Sequence, residues 1–494
     1  MFKKVLIANR GEVAVRITNT LQQMGIVAVA VHSEPDRWGL HVRRADEAYA
    51  LEGETAADTY LRINRIIEVA KSCGADAIHP GYGFLSENAA FAQACIDAGI
   101  VFIGPTPDVI RKMGDKMIAK TTLADAGVPV VPGYWDNGNA DIATLEREAE
   151  RIGYPVLIKA AAGGGGKGMR VARTPDELRS GVDVARRESV SAFGDDRVFL
   201  EKYVTSPRHV EFQIFGDSTG RAVHMFEREC SIQRRHQKII EESPSPALSP
   251  ELRQEMAAAA VRTAEAIGYT GAGTVEFILD ESGSFYFLEV NTRLQVEHPI
   301  TEMRLQLDLV RLQVEVAAGM PLTFEQNDLK PAGHAIECRI YAEDAARGFL
   351  PSVGEIRQFD APAGANVRLD SGVFAGDHVT VYYDPMLAKL AVWGQTRDEA
   401  LARMAWALRR FVVTGVTTNI AFLASVIRHP QFQKGEYDTH FLDAFDLEDG
   451  EQIPDEVLVA AAMLAGRTKA TGHGEKAVTA SASPWRNAGR WRGV

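Results

Sequence analysis

Residues 274–299 read TVEFILDESGSFYFLEVNTRLQVEHP, and the part up to Asn291 decides how this region folds. Glu281-Ser282-Gly283-Ser284 is a turn signal between two alternating runs, so Thr274–Leu279 and Ser284–Asn291 are predicted as the strands of one hairpin. A four-residue loop sets Asp280 against Phe285, which places Glu276 opposite Glu289 and Thr274 opposite Asn291. Side chains alternate along a strand, so Glu276, Glu289 and Asn291 share one face, while Val275, Phe277, Leu279, Tyr286, Leu288 and Val290 form the core face. Directly opposed carboxylates have Cβ atoms roughly 5 Å apart and repel. Either one takes a proton or a cation sits between them. Two carboxylates and an amide oxygen are hard ligands suited to magnesium held jointly with substrate phosphates. A solvated acidic hairpin without a ligand is the plainer alternative.

The hairpin runs into a polar segment, Asn291–Pro299. The Arg293 guanidinium suits a small oxyanion, and Glu297 four residues later has the chemistry of a general base. A surface ion pair is the competing reading.

Upstream, Tyr154–Lys159 is predicted as a strand that enters the run Ala162-Gly163-Gly164-Gly165-Gly166-Lys167-Gly168-Met169. Glycines let backbone N–H groups approach phosphate closely. Gly168 follows Gly166-Lys167 where a Walker A loop has Ser or Thr, so this is not a P-loop. It is either a phosphate lid or a plain linker; the flanking strands and Lys159 favour the lid. Gln233–Lys238 concentrates three cations and a histidine, an anion site or a solvated strand, with Arg234, His236 and Lys238 expected on one face.

Toward the N-terminus the rhythm changes. Lys4–Ala8, Ile26–His32, Ala75–His79 and Ile100–Ile103 read as strands, with the helix pattern Glu12–Met24 between the first two. This βαβ spacing predicts a parallel sheet over residues 1–114, with ligand loops at Asn9-Arg10-Gly11 and His79-Pro80-Gly81. Val198–Glu201 and His209–Phe215 are further strands of a segment 115–333, and His334–Tyr341 with the helix Arg397–Phe411 belongs to a mixed segment 334–446. Residues 447–494 are expected to form a helix at most, then a disordered tail. The 494 residues thus imply an α/β and α+β multidomain chain. A net charge of -12 argues against nucleic-acid binding, and no apolar run of membrane-spanning length occurs. Cys73, Cys95, Cys230 and Cys338 show neither CxxC nor zinc spacing and fit reduced thiols in a cytoplasmic protein.

Several stretches together resemble biotin carboxylase across residues 1–446: Ile7–Ala14 (IANRGEVA), His79–Asn88 (HPGYGFLSEN), Met113–Lys116, Ile158–Met169, Glu201-Lys202-Tyr203, Pro207–Glu211, Cys230–Lys238 and Glu289–Pro299. The resemblance implies an N-terminal parallel-sheet domain, an ATP-grasp domain with a glycine-rich lid over about 131–203, and a C-terminal domain. It implies that Lys116, Lys159, Gly165 and Gly166 contact ATP phosphates, that Glu201, Lys202, Tyr203 and Val204 read adenine, and that His209, Gln233 and His236 surround the nucleotide. It assigns Glu276, Glu289 and Asn291 to Mg2+ (or Mn2+), with the two glutamates also counted among the ATP contacts. Lys238, Arg293, Gln295, Val296 and Arg339 become the bicarbonate pocket, Glu297 the base, and Tyr82 with Arg339 the neighbours of the biotin ring. The resemblance thus implies that Lys238, Arg293, Glu297 and Arg339 form the catalytic set.

Biotin is expected as a carrier-bound substrate, because no lysine lies between two methionines. The implied partners are a carboxyltransferase subunit, a biotin carboxyl carrier protein and a second copy of the chain in a homodimer. Ser483-Pro484-Trp485-Arg486 and Gly489-Arg490-Trp491-Arg492 look like the linker of longer acyl-CoA carboxylase chains, which points to an acetyl-CoA or propionyl-CoA carboxylase; the biotin carboxylase subunit of pyruvate carboxylase shares the catalytic motifs. Another ATP-grasp ligase is the remaining enzymatic alternative.

Overall fold

The computed structural model describes residues 1–135, 140–161 and 169–445, which belong to one compact unit, Met1–Asp446. The expected lid glycines Gly165 and Gly166 and the expected tail 447–494 lie outside the described residues.

Strands β1 (Lys4–Ile7), β2 (Val27–His32), β3 (Glu47–Ala50), β4 (Ala77–His79) and β5 (Val101–Phe102) form a sheet of order β3-β2-β1-β4-β5, parallel in every pairing. Their apolar runs are buried on both faces: Leu6, Ala8, Val29 and Val31 on one side, Val5, Ile7 and Ala28 on the other. Strand β3 is absent from the sequence reading, because its EAYA sequence alternates half-buried and exposed positions with little apolar signal.

Strands β6 (Gly133–Tyr134), β7 (Val156–Ala160), β8 (Arg170–Ala172) and β9 (Val198–Lys202) make a small antiparallel sheet of order β6-β9-β7-β8. It has its own core, in which Val156, Ile158 and Leu200 pack with Leu145, Leu178 and Val182 from two helices.

The largest sheet has eight strands: β10 (Arg208–Gly216), β11 (Ala222–Arg234), β12 (Gln237–Ser243), β13 (Gly271–Leu279), β14 (Phe285–Asn291), β15 (His334–Tyr341), β16 (Val367–Ser371) and β17 (Met386–Gly394). Their order is β14-β13-β10-β11-β12-β15-β17-β16, so hydrogen bonding continues from residues 208–291 directly into 334–394.

Two expectations need correction. In the acidic hairpin, Leu279 rather than Asp280 pairs with Phe285, because the loop holds five residues: the Asp280 N–H donates to the Ser284 carbonyl, and Asp280 Oδ1 accepts from Ser282 N and Ser284 N. A bulge at Leu288 then restores the expected pairing of Glu276 with Glu289 and Thr274 with Asn291. The core face is therefore Val275, Phe277, Leu279, Phe287 and Val290; Tyr286 and Leu288 are only half-buried. The second correction concerns Gln233–Lys238. It is a two-residue hairpin in which Gln233 pairs with Lys238, and Arg235 and His236 form the turn at φ 49 and 65. Arg234, His236 and Lys238 do not share a strand face.

Candidate active site

The parallel sheet and the eight-stranded sheet enclose a cleft of about 590 Å³, lined by Asn9–Gly11, Tyr82–Phe84, Arg293, Val296 and Arg339. Its floor includes the loops after β1 and β4, where parallel sheets expose backbone groups to ligands.

Glu276 and Glu289 are direct cross-strand neighbours. Glu276 Oε1 accepts from Lys238 Nζ (2.8 Å), Asn291 Nδ2 (2.8 Å) and Gln295 Nε2 (3.1 Å), while Oε2 faces His209 Nε2 at 2.8 Å. Burial would raise the Glu276 carboxyl, but Lys238 and His209 hold it well below the usual carboxylate range. Glu289 behaves in the opposite sense: burial, then the Glu276 charge, push its carboxyl up against the opposing pull of Lys116. Glu289 forms no salt bridge among the described residues. A carboxylate without a salt bridge opposite an ionised one, with an amide oxygen two residues on, is a donor set that fits a small hard divalent cation. The Asn291 amide oxygen accepts from Arg293 Nη2 at 2.9 Å in this structure.

Glu297 is fully buried and held at both oxygens. Lys238 Nζ lies 2.8 Å from Oε1 and Arg339 Nη2 lies 2.9 Å from Oε2. Burial opposes its ionisation, yet Lys238, Arg339 and Arg228 together hold it well below the ordinary range. Lys238 Nζ also meets Glu211 at 2.5 Å, and Arg339 Nε donates to Glu241 at 2.6 Å. Arg293 donates to Glu87 (2.9 Å) and to the Gln295 amide oxygen (2.6 Å). Thus Lys238, Arg293, Gln295, Val296, Glu297 and Arg339 converge, with Tyr82 on the same cleft.

The expected phosphate lysines are arranged differently from one another. Burial lowers the Lys116 ammonium, with Glu289 the first group to oppose that shift. Lys159 Nζ is 2.5 Å from Glu201 Oε2, and Lys120 pairs with Oε1 of the same carboxylate. Burial raises the Glu201 carboxyl, but these two lysines bring it down to about 2. Lys202 Nζ donates to the Gly153 and Tyr154 carbonyls at 2.7 and 3.2 Å. The Tyr203 hydroxyl is 3.5 Å from His440 Nε2, and Val204 is half-buried just beyond β9. Gln233 is buried at the end of β11, whereas His236 is exposed at the turn.

Sequence reasoning gave no role to Glu87, Lys120, Glu211, Arg228 or Glu241. Glu211 had a signal, since it follows His209 by two positions on a strand and shares its face. Lys120 and Glu241 had none, because their partners are remote in sequence. Two clusters, His209–Glu211–Glu276 and Glu211–Cys230–Glu297, also bring potential metal-ligand atoms within 4.8 Å of one another. In both, Lys238 already bonds two of the carboxylates, and Arg228 on Glu211 supplies a further positive charge.

Comparison with known proteins places this geometry in a family. Residues 1–110 match the biotin carboxylase N-terminal domain, 115–325 the carbamoyl-phosphate synthase L chain ATP-binding domain, and 337–444 the biotin carboxylase C-terminal domain. Biotin carboxylase 1 of Bacillus subtilis is 51% identical over 451 residues, covering 90% of this chain and 99% of that protein. The chain belongs to the biotin carboxylase family. Members of this family are ATP-dependent ligases, and the chain is an enzyme of that class. The alpha subunit of the mitochondrial methylcrotonoyl-CoA carboxylase of Dictyostelium discoideum is 52% identical over 440 residues, 89% of this chain, which spans 63% of that longer protein. Among solved structures, the biotin carboxylase domain dimer of Hydrogenobacter thermophilus 2-oxoglutarate carboxylase, in complex with MgADP, ADP and bicarbonate, has a TM-score of 0.87 and 46% identity. That likeness covers 91% of this chain and 100% of the solved chain. The three-part architecture is that of biotin carboxylases: parallel-sheet domain, ATP-grasp domain and C-terminal domain.

Proposed function

We infer that this chain is the biotin carboxylase subunit of an acyl-CoA carboxylase and uses MgATP and bicarbonate to carboxylate biotin on a separate carrier protein. The observation that carries the reading is Glu297 bound between Lys238 and Arg339, 2.8 and 2.9 Å from its two oxygens, beside the opposed pair Glu276 and Glu289.

Glu276, Glu289 and Asn291 would hold Mg2+ (or Mn2+), which supplies positive charge to the nucleotide's terminal phosphates when bound. Lys116 and Lys159 neutralise phosphate oxygens, with Gly165 and Gly166 as backbone donors; Lys159, paired with Glu201, has further N–H donors for this. Glu201, Lys202, Tyr203, Val204, His209, Gln233 and His236 surround the rest of the nucleotide. Lys238, Arg293, Gln295, Val296 and Arg339 receive bicarbonate.

A deeply depressed carboxyl is a weak base, so the resting pairings of Glu297 matter. Bicarbonate is itself an anion and competes for Lys238 and Arg339. As those cations turn to it, Glu297 loses the charges that depress it, and its basicity rises where a proton must be taken. Deprotonated bicarbonate attacks the γ-phosphorus of ATP, giving carboxyphosphate and ADP. Carboxyphosphate breaks down to CO2 and phosphate, phosphate takes the ureido proton of biotin, Arg339 stabilises the enolate-like oxygen beside Tyr82, and the ureido nitrogen attacks CO2 to form the N–C bond of carboxybiotin.

Segments 1–114, 115–333 and 334–446 are our division into domains. A homodimer, a carboxyltransferase subunit, a biotin carboxyl carrier protein and a cytoplasmic location complete the proposal. Four buried unpaired cysteines, and the lack among the described residues of any helix long and apolar enough to cross a membrane, accord with that location.

The test is fixation of labelled bicarbonate onto free biotin with MgATP. Bicarbonate-dependent ATP cleavage stimulated by biotin is expected; cleavage indifferent to biotin would favour another ATP-grasp ligase. Reconstitution with acyl-CoA or pyruvate carboxyltransferase partners then tests the acceptor.

A further inference from the structure

Arg339 on β15 and Lys389 on β17 are direct cross-strand partners, so their side chains leave the same face of the sheet. Two cations opposed in this way destabilise a strand pair unless anions intervene. Glu297 and Glu241 answer Arg339. Lys389 has no part in the chemistry above, yet it is 1% exposed. Packing does not require an ammonium there: methionine has similar length and no dehydration cost.

The contacts of Lys389 are specific. Its Nζ donates to the Val296 carbonyl oxygen at 2.8 Å and stands 3.3 Å from Glu12 Oε2 and 3.8 Å from Asp370 Oδ2. It also lies 5.7 Å from the centre of the Tyr82 ring. Glu12 opens the helix Gly11–Gln23 that follows β1, and Asp370 is on β16. Three segments therefore meet at one ammonium: the start of the first helix, the C-terminal strands, and the Val296–Glu297 peptide. Their approach is close, since a Cβ on Gly372 would fall 2.5 Å from Glu12 N.

We propose that Lys389 is a positioning residue for the reaction, fixing the Val296 carbonyl while its strand partner Arg339 holds the Glu297 carboxylate. The inference rests on Glu297 being the base assigned above. Glu297 is then held at its side chain by Lys238 and Arg339 and, through the adjoining Val296 carbonyl, at its backbone by Lys389; the backbone point stays fixed when the two side-chain cations turn to bicarbonate. Without the Lys389 bond the Val296–Glu297 peptide is free to tilt, and displacement of a reacting group by about 1 Å costs on the order of 100-fold in rate.

The experiment uses the full chain with MgATP, labelled bicarbonate and free biotin. Lys389→Met is expected to lower kcat about tenfold or more and to raise KM for bicarbonate, with KM for MgATP held within about twofold. Lys389→Arg should recover much of the loss, because it restores a donor. Lys389→Met alone strands the Glu12 carboxylate in the interior, so the double variant Glu12→Gln/Lys389→Met is measured beside it; it removes both charges and should fold while showing the same kcat defect. A double variant with wild-type kcat would overturn the proposal. So would parallel loss of kcat, MgATP affinity and Tm, the mark of a purely structural residue. Absence of biotin-stimulated ATP cleavage in the unaltered chain would instead remove the reading of the site on which the proposal stands.

Discussion

Glu276 and Glu289 stand opposite each other on β13 and β14, yet their surroundings differ: Lys238 and His209 each lie 2.8 Å from Glu276, while Glu289 has no salt bridge among the described residues. One carboxylate is thus compensated by two cations in this structure, and its neighbour is left open to a ligand. Glu289→Gln should raise the concentration of Mg2+ needed for half-maximal turnover about tenfold or more. The same change removes like-charge repulsion across the strands and should stabilise the metal-free protein by about 0.5 kcal/mol. Metal titrations of activity and thermal unfolding without metal check the two signs; unchanged metal dependence refutes the assignment.

Arg339 touches Glu297 and faces the cleft shared with Tyr82. Arg339→Ala should reduce biotin carboxylation by about 100-fold, the usual effect of losing an oxyanion donor, and reduce bicarbonate-dependent ATP cleavage less. Parallel assays of both activities decide it, and equal losses contradict the enolate role.

Burial raises the Glu297 carboxyl, but Lys238 is the first of the cations that hold it far down. Removing that cation lets the carboxyl rise. In Lys238→Gln the acid limb of the kcat/KM profile should therefore move to higher pH by about one unit or more, beyond any fall in rate. A lower rate with an unmoved acid limb would separate Lys238 from the ionisation of Glu297.

Glu201 answers two buried lysines, Lys120 and Lys159, and its carboxyl is brought down to about 2 from a usual value of 4.5. Glu201→Gln leaves those cations unpaired and should cost about 3–5 kcal/mol of stability near neutral pH. A carboxyl lowered on folding stabilises above its unfolded value, and that contribution fades as pH falls from 4.5 toward 2. The difference in Tm between wild type and variant should narrow over that window. A constant gap would mean that the charge of Glu201 is irrelevant to it.

The acidic hairpin shows how far local pattern reaches. Alternation put Glu276, Glu289 and Asn291 on one face, and this pairing is present. The turn length and the Leu288 bulge were not legible, because Phe287 and Leu288 are both apolar and either suits the core. The loop proved one residue longer than expected, and the bulge compensated for it. At Arg235-His236 neither residue is a usual choice for positive φ, so the turn carried no local signal. Partners remote in sequence, such as Lys120 with Glu201 or Lys389 with Glu12 and Val296, were illegible for a simpler reason: charge has no periodicity that names its counter-ion.

The parallel βαβ segment, the acidic hairpin and the motifs of the family were all specified by the order of amino acids, because strand alternation and turn chemistry are written within a few neighbouring residues. Which carboxylates are neutralised was settled only in the folded chain, since that depends on cations brought from other strands. In a buried site the Coulomb energy of those approaches outweighs any local preference. The same kinds of side chain would otherwise make a solvated surface; folding makes Glu276 a carboxylate held by Lys238 and His209, Glu289 one without a salt bridge among the described residues, and Glu297 one held between Lys238 and Arg339.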